Sequence, residues 1–331
     1  MNPLLELCGK TVAITGASGY LGSALADVLV ASSIPTLGIS RRELAPRCGM
    51  TAMRADINSY ECWKTIVHQC QVIFHLAGNT SVYEAANSPT ESLNSTLVPL
   101  DHLAKAAREL GRRPRVVFSS TATVYGLTDM FPVEETVEPM PVTAYDLHKF
   151  FAEQQLAMAT RLGILDGVAL RLANVYGPSS SRSSAVDRGI LNKVAAMAMR
   201  RSDPVIYGDG TSLRDYVFIG DVVSAFLHAG AVPGIGGRVF NVASGTGITL
   251  RQAFETVIDE AMQSTGDRVA MTSRPWPENA NPIEFRNFVA SIDSFKRATG
   301  WQPAVGLRDG IGLLIADMTV CQRINADTHR I

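Results

Sequence analysis

The stretch "TVAITGASGYLGSALADVLV", residues 11–30, narrows the possible folds more than any other part of the chain. A short apolar run ends at Gly16, glycines recur at 19 and 22, and a helical pattern starts at Tyr20. Glycine permits a tight turn and a close approach of backbone to a phosphate. The amides that open a helix offer that phosphate N–H donors and a partial positive charge. Set between a first strand and a first helix, this spacing predicts a dinucleotide-binding fold.

The first half of the chain continues the pattern. Residues 35–40, 70–77, 115–120 and 167–175 read as further strands, and their near-continuous hydrophobicity suits a sheet buried on both faces. Helical segments lie between them at Tyr20 to Ala31, Ser59 to Gln69, Thr90 to Leu110 and Thr143 to Leu162. The alternation predicts an α/β class, a Rossmann-type doubly wound parallel sheet, with a smaller C-terminal substrate-binding module. The division expected is a cofactor domain over 1–177 plus about 215–243, and a substrate module over 178–214 and 244–331. "SSSRSS" at 179–184 reads as a surface connection, or else as a lid over a ligand.

Charge and cysteine content exclude several roles. A formal net charge of -1 leaves no basic surplus for nucleic acid. No run approaches the roughly 18 apolar residues of a membrane span. The five cysteines are scattered without C-x-x-C spacing, and the six histidines do not cluster, so no metal is expected. A reduced, cytoplasmic protein is the expectation.

Cofactor choice is read at the end of the second strand. An acidic residue there would accept hydrogen bonds from the ribose of NAD. This chain has Ser40, Arg41 and Arg42 instead. A guanidinium can grip a 2′-phosphate, so NADP(H) is favoured, with NAD(H) possible. Asp56 is a candidate for the adenine amino group, or else a loop cap.

Tyr145 and Lys149 sit one helical turn apart in "YDLHK". The phenol of tyrosine, with a pKa of about 10, moves protons near neutrality only with help, which an adjacent ammonium supplies. Together with "TGASGYLG", "HLAG" (75–78), "SSTATVYG" (119–126), "RLANVYGP" (171–178) and "YGDGTSLRDYVFIGDV" (207–222), this helix resembles the extended short-chain dehydrogenase/reductases. The likeness is narrower still to their nucleotide-sugar epimerase, dehydratase and reductase branch.

The resemblance implies roles for named positions. Tyr145 would be the general acid/base, Lys149 would support it and bond the nicotinamide ribose, and Thr121 would bond the same substrate oxygen. Ser18, Tyr20, Leu21, Ile57, Leu76, Ala77, Gly78, Ser119 and Leu172 would line the cofactor with Gly16, Gly19 and Gly22. Thr123, Asn174, Arg188, Leu191, Lys193, Tyr207, Arg214 and Arg274 would bind a nucleotide-diphosphate sugar, with Arg286 an alternative to Arg274. The dehydratases of the branch carry an acidic pair after the catalytic threonine. Ala122 and Thr123 stand there in this chain, which argues against dehydration. With Ser40-Arg41-Arg42, this favours an NADPH-dependent reductase of a nucleotide-linked 4-keto hexose; the alternative is a nucleotide-sugar 4-epimerase. A reductase of a non-sugar carbonyl and a non-catalytic cofactor sensor are the remaining readings. The resemblance also implies a homodimer through the helices at 90–110 and 143–162, where Phe150, Phe151 and Leu156 suit either that interface or the core.

Overall fold

The computed structural model describes residues 2–185 and 189–328, with side chains to residue 320. The strands are β1 (Val12–Thr15), β2 (Thr36–Ser40), β3 (Met50–Arg54), β4 (Val72–His75), β5 (Arg115–Thr121), β6 (Asp166–Leu172), β7 (Asn174–Tyr176), β8 (Val205–Tyr207), β9 (Leu213–Phe218), β10 (Val239–Val242), β11 (Gly247–Thr249) and β12 (Thr272–Arg274). The helices are α1 (Pro3–Leu7), α2 (Tyr20–Ala31), α3 (Tyr60–Gln69), α4 (Val82–Asn87), α5 (Pro89–Glu109), α6 (Ala144–Arg161), α7 (Ile190–Met199), α8 (Ile219–Ala231), α9 (Leu250–Thr265), α10 (Asp293–Thr299) and α11 (Leu307–Thr328). Among the described residues, no helix is long and apolar enough to cross a membrane.

Seven strands form one sheet in the order β10-β6-β5-β4-β1-β2-β3, and every neighbouring pair is parallel. Side chains of successive residues leave opposite faces, so the strands feed two cores. Val12, Ile14, Phe74 and Val117 pack with Leu25, Leu29 and Phe226 of α2 and α8. Ala13, Ile73, Val116 and Phe118 pack with Trp63, Leu103 and Leu156 of α3, α5 and α6. The strand order reverses between β1 and β4, which opens a crevice at their carboxyl ends.

The run 167–175 reads as one strand but forms two. Leu172 is the last residue paired to β5, opposite Thr121, because β5 then gives way to a 3-10 turn at Ala122–Tyr125. Past that point the backbone needs a new partner. Asn174–Tyr176 finds it in β9, in parallel, with Asn174 opposite Tyr216. β9 pairs in turn with β11, so a three-stranded sheet grows from the end of the large one. Below it α7, α9 and α11 enclose a further core around Val194, Phe254, Val257, Ile311 and Leu314.

A buried carboxylate fastens this region. Asp215 on β9 is fully buried and accepts from Ser244 N (2.7 Å), Ser244 Oγ (2.6 Å), Gly245 N (3.0 Å) and Ala290 N (3.3 Å). A second polar group lies under the large sheet's carboxyl edge. Arg171 and Glu153, 4% and 1% exposed, form an ion pair through Nε (3.0 Å) and Nη2 (2.7 Å), and Ser120 Oγ donates to the same carboxylate. The Arg171 guanidinium also covers the Tyr125 ring at 4.6 Å.

Removing one member of a buried pair strands the other without solvent. Arg171→Met is therefore expected to cost about 3–5 kcal/mol in urea unfolding, and Arg171→Met with Glu153→Leu to recover most of it. His75 at the end of β4 gives a second expectation. It is 1% exposed, and burial, helped by the Lys149 charge, pushes its pKa from 6.5 to about 3. Between those values the unfolded chain binds a proton that the native fold refuses. Stability should fall as pH drops through that window, with a His75 share of about 1.4 kcal/mol per unit. His75→Gln should flatten the slope of unfolding free energy against pH by that amount.

Candidate active site

The glycine loop joins β1 to α2, and the absence of side chains there is a spatial necessity. Gly16 has φ +74°, and a Cβ on it would stand 2.9 Å from Ala77 N. A Cβ on Gly22 would stand 2.2 Å from Gly16 O. Gly19 N donates to that same carbonyl at 2.8 Å and caps α2. No side chain caps the helix and its first turn holds no acidic residue. The cradle and its helix amides fit a dinucleotide pyrophosphate, and any larger residue would fill the space.

The neighbouring cofactor candidates gather around this loop. Ser18 Oγ meets Ser40 Oγ at 2.9 Å, and Arg42 N donates to Ser40 Oγ at 3.0 Å. Arg41 and Arg42 are exposed and form no ion pair among the described residues. Arg54, which the sequence did not single out, donates through Nε to Arg41 O at 3.3 Å. Asp56 is exposed and caps its own turn by accepting from Asn58 N at 2.9 Å. Ile57 is buried, and its carbonyl takes the Trp63 indole N–H at 2.6 Å. Tyr20 points away from the loop, donating to Gly177 O at 2.7 Å, and Leu21 is half-buried against two cores. Leu76 N and Ala77 N donate to Thr15 O and Thr15 Oγ1. Gly78 approaches Lys149, its Cβ position lying 3.8 Å from Nζ. Leu172 is buried at the end of β6. The serine loop is more than a connection: Ser184 N and Oγ both donate to Ser18 O at 2.8 Å, and Ser180 Oγ donates to Asp27 on α2 at 2.5 Å.

Tyr145, Lys149 and Thr121 come together where α6 crosses the end of β5. Thr143 caps α6, accepting from Asp146 N at 3.1 Å. Lys149 is 5% exposed. Its Nζ donates to Ser119 O at 2.8 Å and lies 4.7 Å from the Phe118 ring centre and 6.0 Å from that of Tyr145. Burial pushes the ammonium down to about 8, and the Glu153 charge opposes that shift. Tyr145 is half-buried on the same face. Thr121 Oγ1 lies 2.8 Å from Thr123 Oγ1, which in turn donates to Asp146 Oδ1.

A second group of side chains faces this one across Asp146. Asn174 Nδ2 donates to Asp215 O at 3.0 Å, and Arg286 Nη2 donates to Asn174 Oδ1 at 3.4 Å. The cation beside Asn174 is thus Arg286; Arg274 is exposed on β12. Arg214 is 6% exposed and committed to backbone carbonyls of Leu213, Glu284 and Arg286. Burial, then the like charge of Arg214, pushes Arg286 down to about 10. Tyr216 Oη is buried with no hydrogen-bond partner among the described residues; burial pushes it up to about 12 against the pull of both arginines. A buried orphan hydroxyl beside two cations marks a place for a ligand oxygen. Farther out Tyr207, 39% exposed, stacks on Trp276 at 5.4 Å, and Trp276 meets Phe285 at 5.1 Å. Leu191 is fully buried in the core that α7, α9 and α11 enclose, and Lys193 is exposed. Arg188 lies outside the described residues. Asp146 and Tyr216 lie inside the YDLHK and YGDGTSLRDYVFIGDV runs, yet nothing in those runs set them, or Trp276, apart from their neighbours.

Comparison with known proteins converges on one group. The chain is 31% identical to the UDP-glucose 4-epimerase of Mycolicibacterium smegmatis over 308 residues, 90% of this chain and 95% of that one. Its fold matches the solved UDP-glucose 4-epimerase of Thermotoga maritima with UDP-glucose (TM-score 0.83, 26% identity, 94% and 99% of the two chains). It also matches the Thermus thermophilus UDP-glucose 4-epimerase in complex with NAD (TM-score 0.80, 27% identity, 93% and 99%). A family model describing NAD-dependent epimerases and dehydratases matches residues 12–243. With its parallel sheet, its glycine loop and the Tyr-x-x-x-Lys helix in place, the chain belongs to the NAD-dependent epimerase/dehydratase family, the nucleotide-sugar branch of the extended short-chain dehydrogenases.

Proposed function

We propose that this enzyme is a nucleotide-sugar 4-epimerase. The observation that carries the reading is the gathering of Thr121, Tyr145 and Lys149 at the end of β5. It stands in a chain 31% identical to a UDP-glucose 4-epimerase along nine-tenths of its length. Tyr145 takes the proton from the sugar 4-hydroxyl at its phenolic oxygen and later returns it. Lys149, forced into a dry site, keeps a cation close to that oxygen. Thr121 holds the same sugar oxygen in line. Asn174, Arg286 and Tyr216 bind the diphosphate, and the Tyr207–Trp276 stack takes the base. Gly16, Gly19, Gly22, Ser18, Ser40 and the Leu76–Gly78 turn hold the dinucleotide, whose chemistry when bound is reversible hydride acceptance.

A second reading, the 4-ketoreductase, is favoured by one feature. Arg41 and Arg42 stand free of carboxylates where a 2′-phosphate would lie. The division of labour runs between 1–177 with 215–243, for the cofactor, and 178–214 with 244–331, for the sugar nucleotide. A homodimer suits the face of α6 where Leu147, Phe151, Met158 and Leu162 are 38–64% exposed. Phe151 belongs to that face, whereas Leu156 is 2% exposed and belongs to the core. A cytoplasmic setting keeps its unpaired cysteines reduced.

The deciding experiment denatures freshly purified protein and identifies the nucleotide it releases, then assays UDP-glucose without added cofactor. Retained NAD and formation of the 4-epimer support the epimerase, and Tyr145→Phe should then lower kcat by roughly 10²–10⁴. An empty protein that consumes NADPH on a nucleotide-linked 4-keto sugar would establish the reductase instead. In that case Arg41→Ala with Arg42→Ala should weaken NADPH binding by about tenfold or more and leave NADH binding unchanged.

A further inference from the structure

Thr121 is the last member of a hydroxyl chain. Thr121 Oγ1 and Thr123 Oγ1 are 2.8 Å apart, Thr123 Oγ1 bonds Asp146 Oδ1, and Thr143 Oγ1 donates to Asp146 Oδ2 at 2.7 Å. Asp146 is fully buried. Its carboxyl has both oxygens engaged and directly follows Tyr145 in sequence. We propose that Asp146 is a positioning residue that sets, through Thr123, whether the Thr121 hydroxyl donates its hydrogen to the substrate oxygen.

A hydroxyl has one hydrogen, and an ionised carboxylate can only accept. With Asp146 ionised, the hydrogen of Thr123 goes to Oδ1. Between the two threonines only Thr121 can then donate, so its hydrogen turns back toward Thr123 and its lone pairs face the site. With a proton on Oδ1, Asp146 donates to Thr123, Thr123 donates to Thr121, and the Thr121 hydrogen is released toward the sugar oxygen. The Thr143 hydrogen stays on Oδ2 in both states, and Thr123 N donates to Thr121 Oγ1 at 3.2 Å in both. One proton thus reverses two hydrogen bonds and frees the Thr121 hydrogen without moving a heavy atom.

The surroundings pull on the two states in opposite senses. Burial favours the neutral acid; the hydroxyls of Thr123 and Thr143 and the Arg286 charge favour the ion, and burial prevails, raising the carboxyl above an ordinary aspartate. Arg286 faces Asp146 from the segment after the Pro282–Phe285 turn, and Tyr145 and Lys149 share its helix. Rising pH therefore moves the chain from the donating to the withdrawn arrangement. A 4-epimerase passes through both a sugar hydroxyl and a ketone at one oxygen, and the ketone state needs the Thr121 donor.

This inference rests on the reading of Thr121 as the group that bonds the substrate oxygen beside Tyr145. Its test follows kcat and KM for the nucleotide sugar against pH in the wild type, Asp146→Asn and Thr123→Val, with thermal unfolding of each as a control. The asparagine supplies a permanent N–H where the acid has a titrating O–H. It should lose from the kcat profile the one ionisation above which wild-type turnover declines. Thr123→Val should lower kcat by about tenfold or more at every pH, with KM changed less than about threefold. An Asp146→Asn profile superimposable on the wild type, or a fully active Thr123→Val, would overturn the proposal. If no nucleotide sugar is turned over, the functional reading fails separately, and isotope-edited infrared spectra of the protein alone still judge the chain. A protonated carboxyl band that titrates in the wild type and is missing in Asp146→Asn supports it. No such band across the pH range of the folded protein sinks it.

Discussion

The structure depends on a contact that exists because side chains are missing. Gly22 lets α2 start against the Gly16 carbonyl, where a single methyl would come within 2.2 Å. Gly16 brings β1 against the turn that follows β4. These two approaches put the amides of α2 at the switch point of the sheet, and every other group of the site is measured from there. Ser18 then meets Ser40, and the serine loop closes on the Ser18 carbonyl. A substitution at either glycine would displace the helix, and with it the whole cofactor edge.

The chemistry at the other edge is held by burial. An ammonium as dry as that of Lys149 needs compensation, which comes from Ser119 O, the Phe118 ring and the Glu153 charge. Glu153 is itself balanced by Arg171 and Ser120. Tyr145 and Lys149 therefore sit on a layer of paired polar groups that belongs equally to the core. This is why the strand β5 and the helix α6 fix their geometry so closely, and why the carboxyl end of the sheet tolerates charge at all.

Much of this was legible in the sequence. Gly16, Gly19, Gly22, Tyr145 and Lys149 have fixed spacings on single elements, and hydrophobic runs located five of the seven strands of the large sheet. The break at Ala173 was not legible, since no glycine or proline marks it inside 168–175 and only the loss of a pairing partner stops the strand. Nor were Asp146, Tyr216 and Trp276. Their meaning lies in contacts with residues dozens to more than a hundred positions away, for which no local period exists. Leu191 shows the converse: a position to which a resemblance gives a role can lie wholly in the core.

The attachment of the segment 274–288 to β9 has a consequence for how such a protein can diverge. Asp215 gathers the backbone at Ser244, Gly245 and Ala290 onto β9, and Asn174 reaches the same strand. The segment 274–288 hangs from this fixed frame and bears Trp276, Phe285 and Arg286 on turns and short bridges. The turns that bear Trp276 and Phe285 can drift while the frame and α6 stay in register. Arg286 cannot drift with them, because its charge reaches Asp146 on α6 and its guanidinium bonds Asn174, so the same stretch joins a variable rim to a fixed centre.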